Sequence, residues 1–248
     1  MGLFSGLFKS TPKLADADFV NPITTELHSH LIPGIDDGVR TIEESMEVLR
    51  AFSQMGYKKV ITTPHIMGDF YKNGPENILP GLELIRKKLV EENIQIELEA
   101  AAEYLVDDVL EQKIEDKQLL TFGDNYILVE LPFNEEPRNL KTVLFNLRVN
   151  GYRPVLAHPE RYSFMAMQKD KYEELFQSGI LFQVNIFSLI GYYSPQIQKT
   201  AEYLIEKKMV NMIGSDTHGP RHLSALNAAL HSKNYQNICK LKLLNNGL

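Results

Sequence analysis

Glu26-Leu27-His28-Ser29-His30 decides how this chain is read. It ends the strand-like run Ile23-Thr24-Thr25-Glu26-Leu27. Side chains on a strand alternate between faces, so His28 and His30 point the same way. Two imidazoles side by side at a strand end can chelate one divalent metal. Taken alone, the pair would be read as two polar residues on a strand face. The metal reading gains weight because later strand-like runs also end in His, Asp or Glu.

Outward from that stretch, strand-like and helix-like segments alternate. Residues 23–30 read as the first strand, and Pro33-Gly34-Ile35-Asp36-Asp37-Gly38 as a loop. Thr41 and Glu44 make a capping box, and Ile42, Met46, Leu49 and Phe52 keep helical spacing up to Gly56. Residues 57–63 form a second strand ending at Pro64-His65. A helix is expected over 76–92, with Ile78, Leu82, Ile85 and Leu89 on one face. Further strands are expected at 94–102 before Glu103, 126–129 before Glu130, 153–157 before His158, 181–187, and 210–214 before Ser215-Asp216-Thr217-His218. Helices are expected near 107–117, 137–149, 169–178 and 195–208, and in the tail near 221–231 and 234–245.

Alternating strands and helices imply a parallel sheet with helices outside. The polar residues select the architecture, because they gather at the C-terminal ends of strands, where a β/α barrel builds its site. An open doubly wound sheet would concentrate its site at one switch point, usually with a glycine-rich phosphate loop. Neither G-x-G-x-x-G nor G-x-x-x-x-G-K-[ST] is present. The fold expected is therefore α/β, a barrel of seven or eight strands. Residues 23–248 form a single domain with C-terminal helices. Residues 1–22 are expected to be a disordered leader, with a weak surface-docking segment as the rival reading.

Composition narrows the function. The 248 residues carry a formal charge of −6, which argues against nucleic acid or an anionic membrane as the main partner. No apolar run approaches a membrane span. One cysteine, Cys239, leaves no internal disulfide and fits a reducing, cytoplasmic setting. It also excludes a cysteine-based phosphatase, because the sixth residue after it is Asn245 rather than arginine.

His28, His30, His65, His158 and His218 each follow an apolar strand, and Asp37, Glu103, Glu130 and Asp216 join them. Asp36-Asp37 also reads as an ordinary turn pair. Glu103 follows Ala100-Ala101-Ala102, small residues that leave room for a metal. Glu130 follows Ile127-Leu128-Val129, where an unpaired carboxylate would be costly. Glu160 is expected to face solvent or cap the next segment. His222 sits at a helix start, and His231 near a helix C-terminus. So many ligands exceed one zinc site and suit two or three divalent ions with bridging carboxylates. Arg161 supplies a fork of donors suited to phosphate, although an ordinary surface arginine fits its position equally well. Tyr71, Tyr104, Tyr162, Tyr192 and Tyr193 read equally as lining for an aromatic pocket or as ordinary loop aromatics.

The set His28-x-His30, Asp37-Gly38, Thr63-Pro64-His65, Glu103, Glu130, His158-Pro159-Glu160-Arg161 and Ser215-Asp216-Thr217-His218 resembles the polymerase-and-histidinol-phosphatase (PHP) domain. Order and spacing resemble the bacterial manganese-dependent protein-tyrosine phosphatases of capsule and exopolysaccharide clusters, over about residues 24–220. The resemblance implies a distorted TIM-like (β/α)7 barrel with three divalent metals, manganese first, with iron, zinc and cobalt as alternatives. By that pattern His28, His30, Glu103 and Asp216 hold one metal. Glu103 bridges to a second, held also by Glu130 and His158. Asp37, His65 and His218 hold the third. Arg161 would bind phosphate. Arg221 is the candidate second arginine, closer to the last histidine than the pattern leads one to expect. The implied substrate is phosphotyrosine on the tail of a membrane tyrosine kinase, hydrolysed directly by an activated water. A histidinol-phosphate-type phosphatase and a PHP nuclease are the rival enzymes, and a degenerate, non-catalytic barrel is the rival binding module. No nucleic-acid partner or stable membrane insertion is expected, and self-association is compatible with the pattern.

Overall fold

The computed structural model describes residues 20–166 and 168–248; the leader expected up to residue 22 therefore lies mostly outside the described residues. Strands β1 (Thr25–Glu26), β2 (Lys59–Thr62), β3 (His65–Ile66), β4 (Glu97–Ala100), β5 (Glu103–Leu105), β6 (Tyr126–Glu130), β7 (Arg153–Ala157), β8 (Leu181–Asn185) and β9 (Met212–Gly214) all pair in parallel. Helices α1 (Ile42–Gln54), α2 (Pro75–Glu91), α3 (Asp108–Asp116), α4 (Leu140–Val149), α5 (Lys169–Gln177), α6 (Pro195–Glu206), α7 (Leu223–Leu230) and α8 (Lys233–Ile238) intervene or follow. One sheet runs β1-β2-β4 and the other β3-β5-β6-β7-β8-β9.

The two sheets are parts of one ring. Thr63-Pro64 separates β2 from β3, and Ala101-Ala102 separates β4 from β5. Ala101 N still donates to Thr62 O at 2.9 Å and Glu103 N to Pro64 O at 3.1 Å, so pairing continues across both breaks. At the other edge, Ser29 pairs with Thr217 in parallel, His30 N donates to Thr217 O at 3.0 Å and Asp216 N to His28 O at 2.7 Å. These bonds join the first strand to the last, which gives the distorted seven-position α/β barrel that the resemblance implies.

Two apolar layers hold the ring. Inside it, Leu27, Ile61, Ala101, Leu128, Val155, Ala157 and Met212 pack together. Phe122, Tyr126, Leu244 and Leu248 close this layer where β6 and β9 begin. Outside it, the helices bury their apolar stripes: Met46, Leu49 and Phe52 of α1, and Ile78, Leu82, Ile85 and Leu89 of α2. Each such side chain contributes about 1.5–3 kcal/mol when fully buried. The strand period links the inner layer to the site. Leu128 and Glu130, like Ala101 and Glu103, are two residues apart and share the inward face. The carboxylates therefore sit one layer above the apolar plug.

Several elements are shorter than the sequence suggests, and three departures from it have clear physical causes. The first strand pairs regularly only at Thr25–Glu26, because His28 N turns to the Glu26 carboxylate (2.9 Å) instead of a ladder carbonyl. Ser215 N donates to the same oxygen at 2.8 Å, so this buried carboxylate staples the seam. The tail helix expected over 234–245 stops at Ile238. The chain then swings under the barrel, where buried Asn245 donates to Thr25 O and Ile213 O and accepts from Ile213 N. The capping box is half formed: Thr41 Oγ1 accepts from Glu44 N, but the Glu44 carboxylate accepts from Arg40 N rather than Thr41 N.

Gly214 is required by space. A Cβ there would stand 2.5 Å from His28 Cβ and 3.2 Å from Gln183 Nε2. Gly214→Ala is expected to displace His28 and destabilise the fold by about 1–3 kcal/mol, the usual cost of overpacking. Urea denaturation measures this, and an unchanged midpoint would show that the seam has slack.

Candidate metal centre

The nine residues singled out from the sequence meet at the C-terminal mouth of the barrel. His28 and His30 come from the extension of β1, Asp37 from the loop that follows, and His65 from β3. Glu103 begins β5 and Glu130 ends β6, while His158 follows β7 and Asp216 and His218 follow β9. His158 (φ 32°) and Asp216 (φ 57°) are in left-handed backbone, which turns their side chains into the mouth. Such conformations cost about 1–3 kcal/mol each and persist where the surrounding structure enforces them.

Each ring is held by one nitrogen or aimed by the backbone. His28 Nδ1 lies 2.7 Å from Gln183 Oε1, so Nε2 faces Glu103 Oε2 (3.2 Å) and Asp216 Oδ1 (3.5 Å). His30 Nδ1 lies 2.9 Å from Asp36 Oδ2, so Nε2 faces Glu103 Oε2 (3.5 Å) and Asp216 Oδ1 (3.4 Å). His218 Nδ1 lies 2.9 Å from Asp216 O, and its Nε2 faces Asp37 Oδ1 at 3.4 Å. His65 spans Glu103 Oε2 (3.1 Å, Nδ1) and Asp37 Oδ1 (3.5 Å, Nε2). His158 Nε2 lies between Glu103 Oε1 (3.2 Å) and Glu130 Oε1 (3.5 Å).

The donor set fits metal. His28 Nε2, His30 Nε2, His65 Nδ1 and Glu103 Oε2 are buried and have no hydrogen-bond partner. Buried polar atoms left unpaired cost about 1–3 kcal/mol each, and these converge on one another. Ligand atoms fall within 4.8 Å of one another in four groups: His30/Asp37/His65/His218, His28/His30/Glu103, His28/His158/Asp216 and His65/Glu103/Glu130. His30 thus borders two regions, and His158 lies near Asp216 as well as Glu103. These groups overlap more than the partition implied by the resemblance.

Electrostatics favour the ligand forms of Glu103, Asp216, Asp37 and His158 and oppose those of Glu130, His28 and His30, whose protonated forms are stabilised without a cation between them. Burial opposes ionisation of Glu103, yet the charges of His28 and His65 hold it well below the carboxylate range. Asp216 is held low by His28 and His218 against the same burial. Asp37 falls to about 2, its burial outweighed by the hydrogen bond and charge of His218. Glu130 is pushed well up by burial and by Glu103 and Asp216. Burial and the neighbouring Arg161 push His158 down to about 4, which keeps its imidazole neutral, as a metal ligand must be.

Arg161 lies at the edge of this ring. Its Nη1 donates to Asp216 Oδ2 at 2.6 Å, and its guanidinium is stacked between Phe133 (4.8 Å) and Tyr193 (4.2 Å). Asn185 Nδ2 ties Asp216 Oδ2 (3.0 Å) to the Tyr193 hydroxyl (3.2 Å). Arg221 is exposed, with Nε 3.3 Å from His222 Nε2, on a cleft shared with Asp37, Arg40 and His218. His222 Nδ1 accepts from His218 N, which braces the last ligand loop.

One expectation is corrected. Glu160 is buried, accepting from Asn185 N (2.8 Å) and Ser188 Oγ (2.7 Å), and burial raises its carboxyl to about 7. It anchors the segment after β8 instead of facing solvent. Of the tyrosines left open between pocket lining and ordinary loop aromatics, Tyr104 and Tyr162 are buried in the core: Tyr104 Oη accepts from Leu120 N, and Tyr162 Oη donates to Ala157 O. Sequence reasoning missed Asp36, Gln183, Asn185 and Phe133. Gln183 and Asn185 did leave a signal, as amides alternating within the apolar strand Leu181–Asn185. Asp36 was hidden in a plausible turn: Oδ1 accepts from Gly38 N, and Oδ2 accepts from His65 N.

The family profile described as capsular polysaccharide synthesis, CpsB/CapC, matches residues 24–236. The chain belongs to the CpsB/CapC family. Tyrosine-protein phosphatase YwqE of Bacillus subtilis is 31% identical over 194 residues, covering 78% of this chain and 76% of that protein. Tyrosine-protein phosphatase CpsB of Streptococcus pneumoniae is 28% identical over 201 residues, covering 78% and 82%. Among solved structures, one from work on Bacillus subtilis YwqE and Streptococcus pneumoniae CpsB, described as metal-dependent tyrosine phosphatases, superposes with a TM-score of 0.77. It is 29% identical and covers 89% of this chain and 94% of that one. A Lactococcus lactis histidinol phosphate phosphatase shares the fold at TM-score 0.55 and 15% identity, covering 91% and 95%.

Asp36 is the carboxylate behind His30. In this CpsB/CapC chain, Asp36→Asn is expected to weaken metal binding about 10- to 100-fold, as loss of an outer partner of a ligating histidine does. Calorimetric titration of metal-stripped protein reads this directly; unaltered affinity would remove Asp36 from the site.

Proposed function

We infer that this chain hydrolyses phosphotyrosine on protein, as its tyrosine-protein phosphatase relatives YwqE and CpsB do. The observation that carries the reading is the convergence of buried, unpartnered ligand atoms beside the stacked guanidinium of Arg161. His28, His30, Asp37, His65, Glu103, Glu130, His158, Asp216 and His218 would hold up to three divalent ions, with manganese the first candidate and iron, zinc or cobalt alternatives. When bound, such ions activate water at neutral pH and neutralise charge on a phosphoryl group.

The chain's own residues do the rest. Gln183 and Asp36 fix the His28 and His30 rings, which leaves Nε2 of each aimed inward. Phe133 and Tyr193 hold Arg161 flat at the mouth, where its remaining N–H groups can bind phosphoryl oxygens as negative charge builds up. The tyrosine phenolate leaves readily, with a pKa near 10, so little general-acid help is required. Arg221, across the Asp37 cleft, is the second candidate for the phosphate. Among the described residues, no helix is long and apolar enough to cross a membrane. A cytoplasmic enzyme acting on the tail of a membrane tyrosine kinase accords with that and with the capsule-synthesis family.

Purified protein with manganese should dephosphorylate a phosphotyrosine peptide faster than it turns over histidinol phosphate or single-stranded DNA. Rapid turnover of either of those with none of the peptide would overturn the reading. His28→Ala and Glu103→Ala should each abolish turnover while far-UV circular dichroism stays native; near-normal rates would refute the ligand assignment. Arg161→Ala should raise KM and lower kcat, and identical kinetics would end its phosphate role. Cys239 is half-buried and burial pushes its thiol up to about 11, so Cys239→Ser and iodoacetamide treatment should both leave activity intact.

A further inference from the structure

Two partly exposed aromatic rings stand at the mouth on its polar residues, Phe133 also touching buried Tyr162 (centroids 5.9 Å apart). Phe133, in the loop after β6, remains 39% exposed although it borders the most polar part of the molecule. Its ring stacks on His158 (centroids 5.7 Å, planes 18° apart) and against the Arg161 guanidinium. Its backbone is pinned: the Phe133 carbonyl accepts from both Ser163 N (2.9 Å) and Ser163 Oγ (3.0 Å). Tyr71, in the loop after β3, stacks nearly parallel on His65 (5.6 Å, 11°) and is only half-buried. It too is pinned, by reciprocal bonds between Tyr71 and Met67 of 2.9 and 3.0 Å.

The histidines beneath these rings place them. His65 and His158 lie 3.1 and 3.2 Å from the two oxygens of Glu103. Tyr71 and Phe133 thus each stack on one of the two histidines that face opposite oxygens of Glu103. Exposed aromatic surface costs free energy unless something covers it, and rings fixed at both backbone and face have little freedom left to lose on binding. Tyr104 and Tyr162 are spent inside the core, and Tyr193 is engaged with Arg161 and Asn185.

We propose that Phe133 and Tyr71 are the walls of a slot that takes the phenyl ring of the substrate and sets the preference for aryl over alkyl phosphates. The proposal rests on the phosphotyrosine reading and adds to it the residues that read the aromatic group. Phosphate is held by charge at the bottom of the site. The ring above it is held by two aromatic contacts, each worth roughly three- to tenfold in affinity.

Binding of non-hydrolysable phosphonates tests this without the influence of leaving-group chemistry. Ki for phenylphosphonate and for methylphosphonate would be measured by competition in the wild type, Phe133→Leu, Tyr71→Leu and Phe133→Tyr. In the wild type the phenyl compound should bind at least tenfold tighter than the methyl compound. Each leucine variant should reduce that ratio by roughly three- to tenfold, and Phe133→Tyr should retain it. A parallel weakening of both compounds would mean that the rings merely support Arg161 or the histidines, and would overturn the proposal. So would an unchanged ratio in both leucine variants. If the wild type does not act on a phosphotyrosine peptide, the functional reading itself fails; if it does and the ratio holds in the variants, only the slot fails.

Discussion

Glu103 is the group on which the rest of the site depends. One of its oxygens faces His28, His30 and His65, and the other faces His158. It is fully buried, and the charges of His28 and His65 offset the cost of burying its own. That requirement propagates outward. Four histidines must reach one carboxylate from strands on different sides of the ring, so the barrel has to close and the first strand has to meet the last. The bonds between His30 and Thr217 and between Asp216 and His28 do this, and the Glu26 carboxylate caps the irregular backbone on both sides of the seam.

Closure brings strain with it. His158 and Asp216 are in left-handed backbone at the ends of β7 and β9, where a regular strand would carry the side chain past the mouth. The apolar plug of Leu128, Val155, Ala157 and Met212 directly below makes these positions affordable. A well-packed layer yields little, so the residues above it keep their aim within the tolerance that ligation requires. Gly214 belongs to the same constraint, since any side chain there would occupy the place of His28 Cβ.

The parts that follow from periodicity were legible from sequence. The alternation of strands and helices, the apolar faces of α1 and α2, and the polar residues that gather at or just after strand ends can each be read from local pattern. What was not legible depends on partners far away in the chain. Asp36 looks like a turn residue until His30 and His65 are placed against it. Glu160 looks like a solvent-facing residue after a proline until Asn185 and Ser188 are seen to require an acceptor. The tail after Ile238 has helical composition, but Asn245 satisfies three backbone groups at the base of the seam only if the helix ends. Local propensity loses there to buried hydrogen bonding.

The mouth divides its labour along the length of a substrate. At the bottom, histidines and carboxylates present charge that suits metal ions and a phosphoryl group but offers nothing to a hydrocarbon. One layer higher, the rings of Tyr71, Phe133 and Tyr193 rest on His65, His158 and Arg161. Each ring covers one face of a polar group, so the same contact that orients a histidine or the arginine also sets an apolar surface at the rim. An aryl phosphate matches that gradient from charge to hydrocarbon, and the sugar-phosphate backbone of a nucleic acid matches it poorly. The chain's net negative charge adds no overall attraction for such a polyanion. The orientation of these loop aromatics thus depends on the histidines and the arginine beneath them.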